Sequence, residues 1–225
     1  EPVKENYHGS MSLLYEGIAL TIVIVGLFLR DLRATFICAL ALPLSILPTF
    51  LFMQWMGYTL NIITLLSLSL VIGVLVDDAI VEVENIMRHL RLGKTPREAA
   101  REAAAEIGMP VIATTFTLVA VFLPTAFMPG LPGKFFVQFG WTSSAAVLVS
   151  LLVARMLTPM MAAYMLRPAR DTHREPVWIA PYLRLARWCL GHRAATMTLV
   201  GLFGLASFVP LFSGATQGDF MPASD

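Results

Sequence analysis

Six apolar stretches close to bilayer length occupy most of this sequence: residues 12–29, 34–53, 61–83, 109–128, 137–165 and 194–212. An α-helix needs about 20 predominantly apolar residues to cross the hydrocarbon core, and no other element except a closed barrel satisfies its own backbone there. Charged residues make up 14% of the chain and the mean hydropathy is +0.72, whereas a soluble domain carries about 25% charged residues. The sequence therefore predicts an all-α fold, a polytopic transmembrane helix bundle of six spans with interfacial cytoplasmic helices, and the lipid bilayer as its first partner.

Two kinds of connection join these stretches. Residues 53–60 and 129–136 are short and nearly uncharged, whereas 30–33, 88–108 and 167–193 are rich in arginine. The second kind holds Arg30, Arg33, Arg88, Arg91, Lys94, Arg97, Arg101, Arg167, Arg170, Arg174, Arg184, Arg187 and Arg193, thirteen of the 16 basic residues. Positive charge collects on the cytoplasmic side. Six spans then put both termini on the opposite, periplasmic side. The formal net charge of +1 argues against nucleic acid as a partner. Cys38 and Cys189 stand far apart, with neither a disulfide framework nor metal-ligand spacing around them.

This gives the following organisation: a periplasmic lead-in (1–11), three spans (12–88), a cytoplasmic amphipathic helix loop (89–108), two spans (109–166), a cytoplasmic interfacial helix loop (167–193), a sixth span (194–213) and the start of a periplasmic segment (214–225). In the first loop, Thr95-Pro96-Arg97-Glu98 reads as a capping box with proline at the first helical position. Its helix is expected to end at Gly108, and Pro110 to open the next span. The second loop interleaves Trp178, Ile179, Tyr182, Leu183, Leu185 and Trp188 with Arg184 and Arg187, a mixture suited to a helix lying on the membrane surface. Pro43, Pro48, Pro124 and Pro159 fall within spans, where neighbouring helices can satisfy the carbonyls they free.

The third span carries the unusual chemistry: Gly73-Val-Leu-Val-Asp77-Asp78-Ala-Ile-Val-Glu82-Val-Glu84-Asn85. Asp78 lies ~15 Å along the helix from Arg88, inside the hydrocarbon. Each charged aspartate at such a depth is unfavourable by about 2.5–3.5 kcal/mol, so intramembrane carboxylates mark functional sites that face a bundle interior or a wet cavity. Helical spacing puts Gly73 and Glu84 on the face of Asp77, and Glu82 and Asn85 on that of Asp78. Two adjacent carboxyls in low dielectric do not both ionise readily, which suits Asp77 and Asp78 to a reversible proton relay. Glu82 and Asn85 extend the candidate relay, and Gly73 is a candidate point of close helix approach.

Two other readings of the same residues stand beside this one. The acids can form a packing contact without ion coupling, or they can bind sodium with Thr64, Ser67 and Ser69, which sit at the far end of the helix. Arg155, in the fifth span, is expected to snorkel towards the cytoplasmic interface, with pairing to Glu82 or Glu84 as the alternative. No cofactor, metal or enzymatic constellation is expected, the coupling ion being the proton.

The block from Thr59-Leu60-Asn61 to Asp77-Asp78-Ala-Ile-Val-Glu82-Val-Glu84-Asn85 closely resembles the fourth transmembrane helix of resistance–nodulation–division (RND) exporters, in their AcrB-like hydrophobe/amphiphile efflux branch. Arg33-Ala34-Thr35, Val121-Phe122-Leu123-Pro124, Phe127-Met128-Pro129-Gly130, Leu157-Thr158-Pro159 and Gly218-Asp219-Phe220-Met221-Pro222 agree with it. The resemblance implies that the six spans correspond to the second through seventh of twelve in a bacterial inner-membrane pump. It further implies a homotrimer with a periplasmic adaptor and an outer-membrane channel. Asp77 and Asp78 then take the family's proton-relay aspartates, whose basic partners belong to the remaining half of the exporter. Arg155 stands where the family is usually aliphatic. Asp78 speaks against heavy-metal pumps, which usually have glycine there. The alternatives are another RND-superfamily segment, from a lipid or sterol transporter or a protein-export accessory, or a membrane scaffold with no ion coupling. A fragment without the basic partners and substrate sites is not expected to transport alone.

Overall fold

A computed structural model describes residues 2–167 and 179–209, and every element among them is helical. The elements are α1 (Pro2–Leu29), α2 (Leu32–Trp55), α3 (Ile62–Arg91), α4 (Pro96–Phe122), α5 (Gly130–Leu152), α6 (Thr158–Met165), α7 (Ile179–Gly191) and α8 (Arg193–Ser207). A 3₁₀ turn (Leu123–Phe127) continues α4, and a π-helical turn (Val153–Leu157) joins α5 to α6.

The all-α polytopic bundle is as expected, but the spans are not evenly long. Four helices are individually long and apolar enough to cross a membrane: Leu32–Trp55, Ile62–Arg91, Pro96–Phe127 and Gly130–Met165. The apolar part of the first helix, Tyr15–Leu29, is shorter than these, because the preceding turns, from Pro2 to Ser12, are rich in polar residues. Within the described residues α8 has 15 residues, and residues 210–212 of the expected sixth span lie outside them.

The chain divides into two compact units, up to Asp171 and from Thr172 onward. In the first, α3 is central and touches α1, α2, α4, α5 and α6. Leu65, Leu68, Val71, Leu75, Val83 and Ile86 of α3 are buried against Ile37, Leu42, Ala146 and Val147 from neighbouring helices. Small and hydroxylated residues let α5 lie close to α3, the usual way of packing helices in lipid. The Ser67 and Ser143 hydroxyls are 2.7 Å apart, and Ser150 Oγ donates to the Leu75 carbonyl at 2.9 Å. A Cβ on Gly140 would come within 2.8 Å of the Ala126 backbone nitrogen, so the 3₁₀ turn fits against α5 only with glycine there. On the α2 side, Cys38 is buried, and its Sγ approaches the Ala79 carbonyl at 3.8 Å.

Helix starts follow local chemistry. Asp31 caps α2 by accepting from the Arg33 and Ala34 amides, and Asn61 and Thr64 form a capping box on α3. The predicted Thr95–Glu98 box is present, with Pro96 at the first helical position. The expected break near Gly108 is absent: α4 runs unbroken through Pro110 into its apolar half. One proline removes a single backbone donor, and the helix continues on either side of it.

In the second unit, α7 and α8 meet at 98°. The helix expected in this loop is present in Ile179–Gly191, with Tyr182, Leu183, Leu185 and Trp188 exposed along it. Trp178 lies outside the described residues, as do Arg170, Arg174 and the 214–225 segment.

Candidate functional site

The two aspartates have opposite fates. Asp78 turns into the bundle and is 9% exposed, and its Oδ2 is buried with no hydrogen-bond partner. Asp77 is exposed, which corrects the expectation that both carboxyls are enclosed. Adjacent helical residues point about 100° apart, so a single helix cannot bury both on one narrow contact.

Each aspartate lies on its own stripe. On the outer face, Leu66, Leu70, Gly73, Asp77, Val81, Glu84 and Arg88 follow one another at three- and four-residue steps, and all are exposed. Nothing among the described residues lies within 4 Å of a Cβ placed on Gly73. On the inner face, Asp78, Glu82, Asn85 and His89 recur at i, i+4, i+7 and i+11, and all four are buried. Sequence reading took this stripe as far as Asn85. Extending the same helical phase by one more turn reaches His89, which it missed.

Glu82 is 0% exposed, and Arg155 Nη1 donates to its Oε2 at 3.1 Å. The other oxygen, Oε1, is buried without a partner. Arg155 Nη2 donates to the Ala104 carbonyl at 2.7 Å, so one guanidinium links the π-helical turn, α3 and α4. A Cβ on Gly108 would stand 2.8 Å from Nη2, and glycine leaves that space open. Arg155 thus turns inward, correcting the expected snorkelling. A fully buried carboxylate gains more from a guanidinium than the guanidinium gains from the interface. The cation serves Glu82 and pairs with neither aspartate.

Beyond Glu82 the stripe becomes a hydrogen-bonded network. Asn85 Nδ2 donates to the Ala103 carbonyl at 3.2 Å and to Glu106 at 3.4 Å, while its Oδ1 accepts from Arg88 Nε at 3.0 Å. His89 Nε2 is 2.8 Å from Glu106, and Lys94 Nζ is 2.8 Å from its Nδ1. Lysine has no acceptor, so this pair of contacts fits a neutral imidazole protonated at Nε2. Lys94 also pairs with Glu102, and Arg88 with Glu106. Both glutamates stand on the charged first turns of α4, ahead of its apolar stretch. Hydrogen bonds from His89 to Glu106 and from Lys94 to Glu102 hold their carboxyls below the usual range. Asn85 and Arg88 border a cleft of about 420 Å³ between α3 and α4, also lined by Ile80, Val81, Glu84 and Ile107.

Two of the three hydroxyls weighed as sodium ligands are engaged elsewhere. Thr64 completes the α3 cap and Ser67 pairs with Ser143. Among the described residues no three His, Cys, Asp or Glu side chains come together as a metal site.

Fold and site together define a polytopic membrane protein with carboxylates inside its bundle, and comparison with known proteins gives its family. Residues 3–225 match the model of the AcrB/AcrD/AcrF family, and the chain belongs to that family. It is 42% identical over 198 residues to the multidrug resistance protein MdtC of Pectobacterium atrosepticum, covering 84% of this chain and 19% of that protein. MdtC of Shigella flexneri is 40% identical over 203 residues, covering 86% of this chain and 20% of that protein. The chain therefore spans about one fifth of the length of the curated relatives it matches. These matches agree with the resemblance to AcrB-like RND exporters carried by the Asp-Asp block.

Proposed function

We propose that this chain is the proton-relay part of an RND exporter of drugs and amphiphiles, driven by the proton-motive force across the bacterial inner membrane. The observation that carries the reading is Asp78, a buried carboxyl with an unpartnered oxygen, directly beside Asp77 on an open face. Asp78 offers a proton site shielded by the bundle. Asp77 offers a charge to whatever helix covers Gly73 and Glu84, and the basic residues of the exporter's remaining half fit that place. Protonation would release those ion pairs and let the helices shift, which is how a proton gradient does mechanical work on the rest of a pump. The homotrimer, the periplasmic adaptor and the outer-membrane channel belong to this proposal, as does the orientation with both termini periplasmic. Residues 1–225 alone lack the partners this cycle needs and should not confer drug resistance on a pump-deficient cell.

The test is export of a fluorescent amphiphile by the full-length exporter, comparing wild type with Asp77→Asn and Asp78→Asn at matched membrane amounts. Loss of export to background in both variants is expected. Normal export by both would make the pair a structural contact and the chain a scaffold without ion coupling.

A further inference from the structure

Glu82 raises a question that the aspartate pair does not answer. A carboxylate that is fully buried, held on one side only and left with a partnerless oxygen is an unfavourable way to fill space in a helix bundle. It lies one helical turn from Asp78, whose own free oxygen is also buried, and residues four apart on a helix have Cβ atoms ~5–6 Å from each other. The next polar side chains on the same face are Asn85, which borders the cleft between α3 and α4, and His89, bonded to Glu106 and Lys94. We propose that Glu82, Asn85 and His89 form the outlet by which Asp78 exchanges protons with the arginine-rich, cytoplasmic end, with Arg155 as the positioning residue that holds Glu82 in line.

The step is a plain proton transfer. The O–H bond of the Asp78 carboxyl breaks as one forms on the Glu82 carboxylate, and Asp78 is left anionic. The new O–H bond on Glu82 then breaks as its proton passes through cleft water beside Asn85 to the Glu106 carboxylate, which the His89 Nε2–H holds in place, and Glu82 returns to its anionic form. Glu82 uses its free oxygen for this while Oε2 stays on Arg155, so the acceptor is fixed without being blocked. Charged and titratable groups around this route are Asp77, Glu84, Arg88 and Arg91 on α3, Arg155 on the π-helical turn, and Glu102 and Glu106 on α4, with Lys94 in the connection between α3 and α4. Histidine at the outer end suits the role, because its two ring nitrogens face different partners, Nε2 towards Glu106 and Nδ1 towards Lys94.

The inference rests on Asp78 being a proton carrier, and the experiment separates the two claims. Full-length exporter in proteoliposomes, with an imposed pH gradient, is assayed for substrate-dependent proton flux as Asp78→Asn, Glu82→Gln, the double variant Glu82→Met with Arg155→Met, and His89→Gln. The double variant replaces the ion pair by apolar side chains of similar reach and so keeps the packing. We expect at least a tenfold loss of flux in Glu82→Gln and in the double variant at matched amounts of trimer. His89→Gln leaves the ion pair intact and should reduce flux about threefold, flattening its dependence on pH at the cytoplasmic face. Wild-type flux in the double variant would make the pair purely structural and overturn the outlet. An unchanged pH profile in His89→Gln would remove His89 and the path through it. If Asp78→Asn is inactive while the double variant works, only the outlet fails; if Asp78→Asn itself transports normally, both readings fall.

Discussion

The two faces of α3 use the same kinds of residue to opposite ends. Inside, Asp78, Glu82, Asn85 and His89 are buried, and three of them share hydrogen bonds with Arg155 or with the first turns of α4. Outside, Asp77, Glu84 and Arg88 interrupt a row of exposed leucines and valine. Within the described residues the inner face is covered by neighbouring helices and leaves only Asp78 Oδ2 and Glu82 Oε1 unpartnered, whereas the outer one presents polar groups at the level of the hydrocarbon. An intramembrane charge without a partner is unfavourable by several kcal/mol. That imbalance favours whatever covers Asp77, and a helix bearing a cation and small side chains would fit beside Gly73.

The contrast can be broken by mutation. The largest effect should come from Arg155→Ala, which leaves the Glu82 carboxylate buried and uncompensated. Removing one member of a buried pair typically destabilises by 3–5 kcal/mol, and with Arg155 itself 23% exposed we expect about 3 kcal/mol. Glu84→Gln on the outer face should change stability by no more than ~0.5 kcal/mol. Thermal unfolding of the purified exporter compares them, and equal shifts would mean that the two faces are equivalent.

Next comes a pair of leucines. Leu68→Ala opens a hole in the core and should cost about 2–3 kcal/mol, whereas Leu70→Ala, two residues away and exposed, should cost under ~0.5 kcal/mol in the chain as described. A large effect at Leu70 in the assembled exporter would show that another helix packs on this stripe and would sharpen the comparison. A change well below that at Leu68 is expected from Ser67→Ala, which removes the hydroxyl contact with Ser143 between α3 and α5. Interhelical hydrogen bonds in membranes average about 0.6 kcal/mol, and a shift well beyond 1 kcal/mol would point to a role other than packing.

Much of this was legible in the chain itself. Apolar run length gave the bundle, the Asp-Asp block gave the family, and Thr95 with Glu98 marked the start of α4. Each of those signals is local, and so sequence carries it. What escaped the reading depended on contacts between distant segments. Arg155 and Glu82 are 73 residues apart, and only the packing of α5 on α3 decides that the guanidinium turns inward. The continuity of α4 through Pro110 was misjudged because a proline reads as a boundary, although neighbouring helices in a bundle can satisfy the carbonyl it frees. The split between Asp77 and Asp78 was hidden by treating them as a pair: the same 100° step that assigned Gly73 and Glu82 to different faces separates the aspartates too.

Cys38 offers a practical consequence. Its thiol is sealed between α2 and α3 against the carbonyl of Ala79, the residue after Asp78, while Cys189 is partly open. An alkylating reagent can reach Cys38 only when those two helices part, so its labelling rate is a native clock for motion around the aspartates. With Cys189 replaced by serine, Cys38 on α2 is the single thiol of residues 1–225, a reporter set against α3 beside Asp78 and read by mass without any added probe.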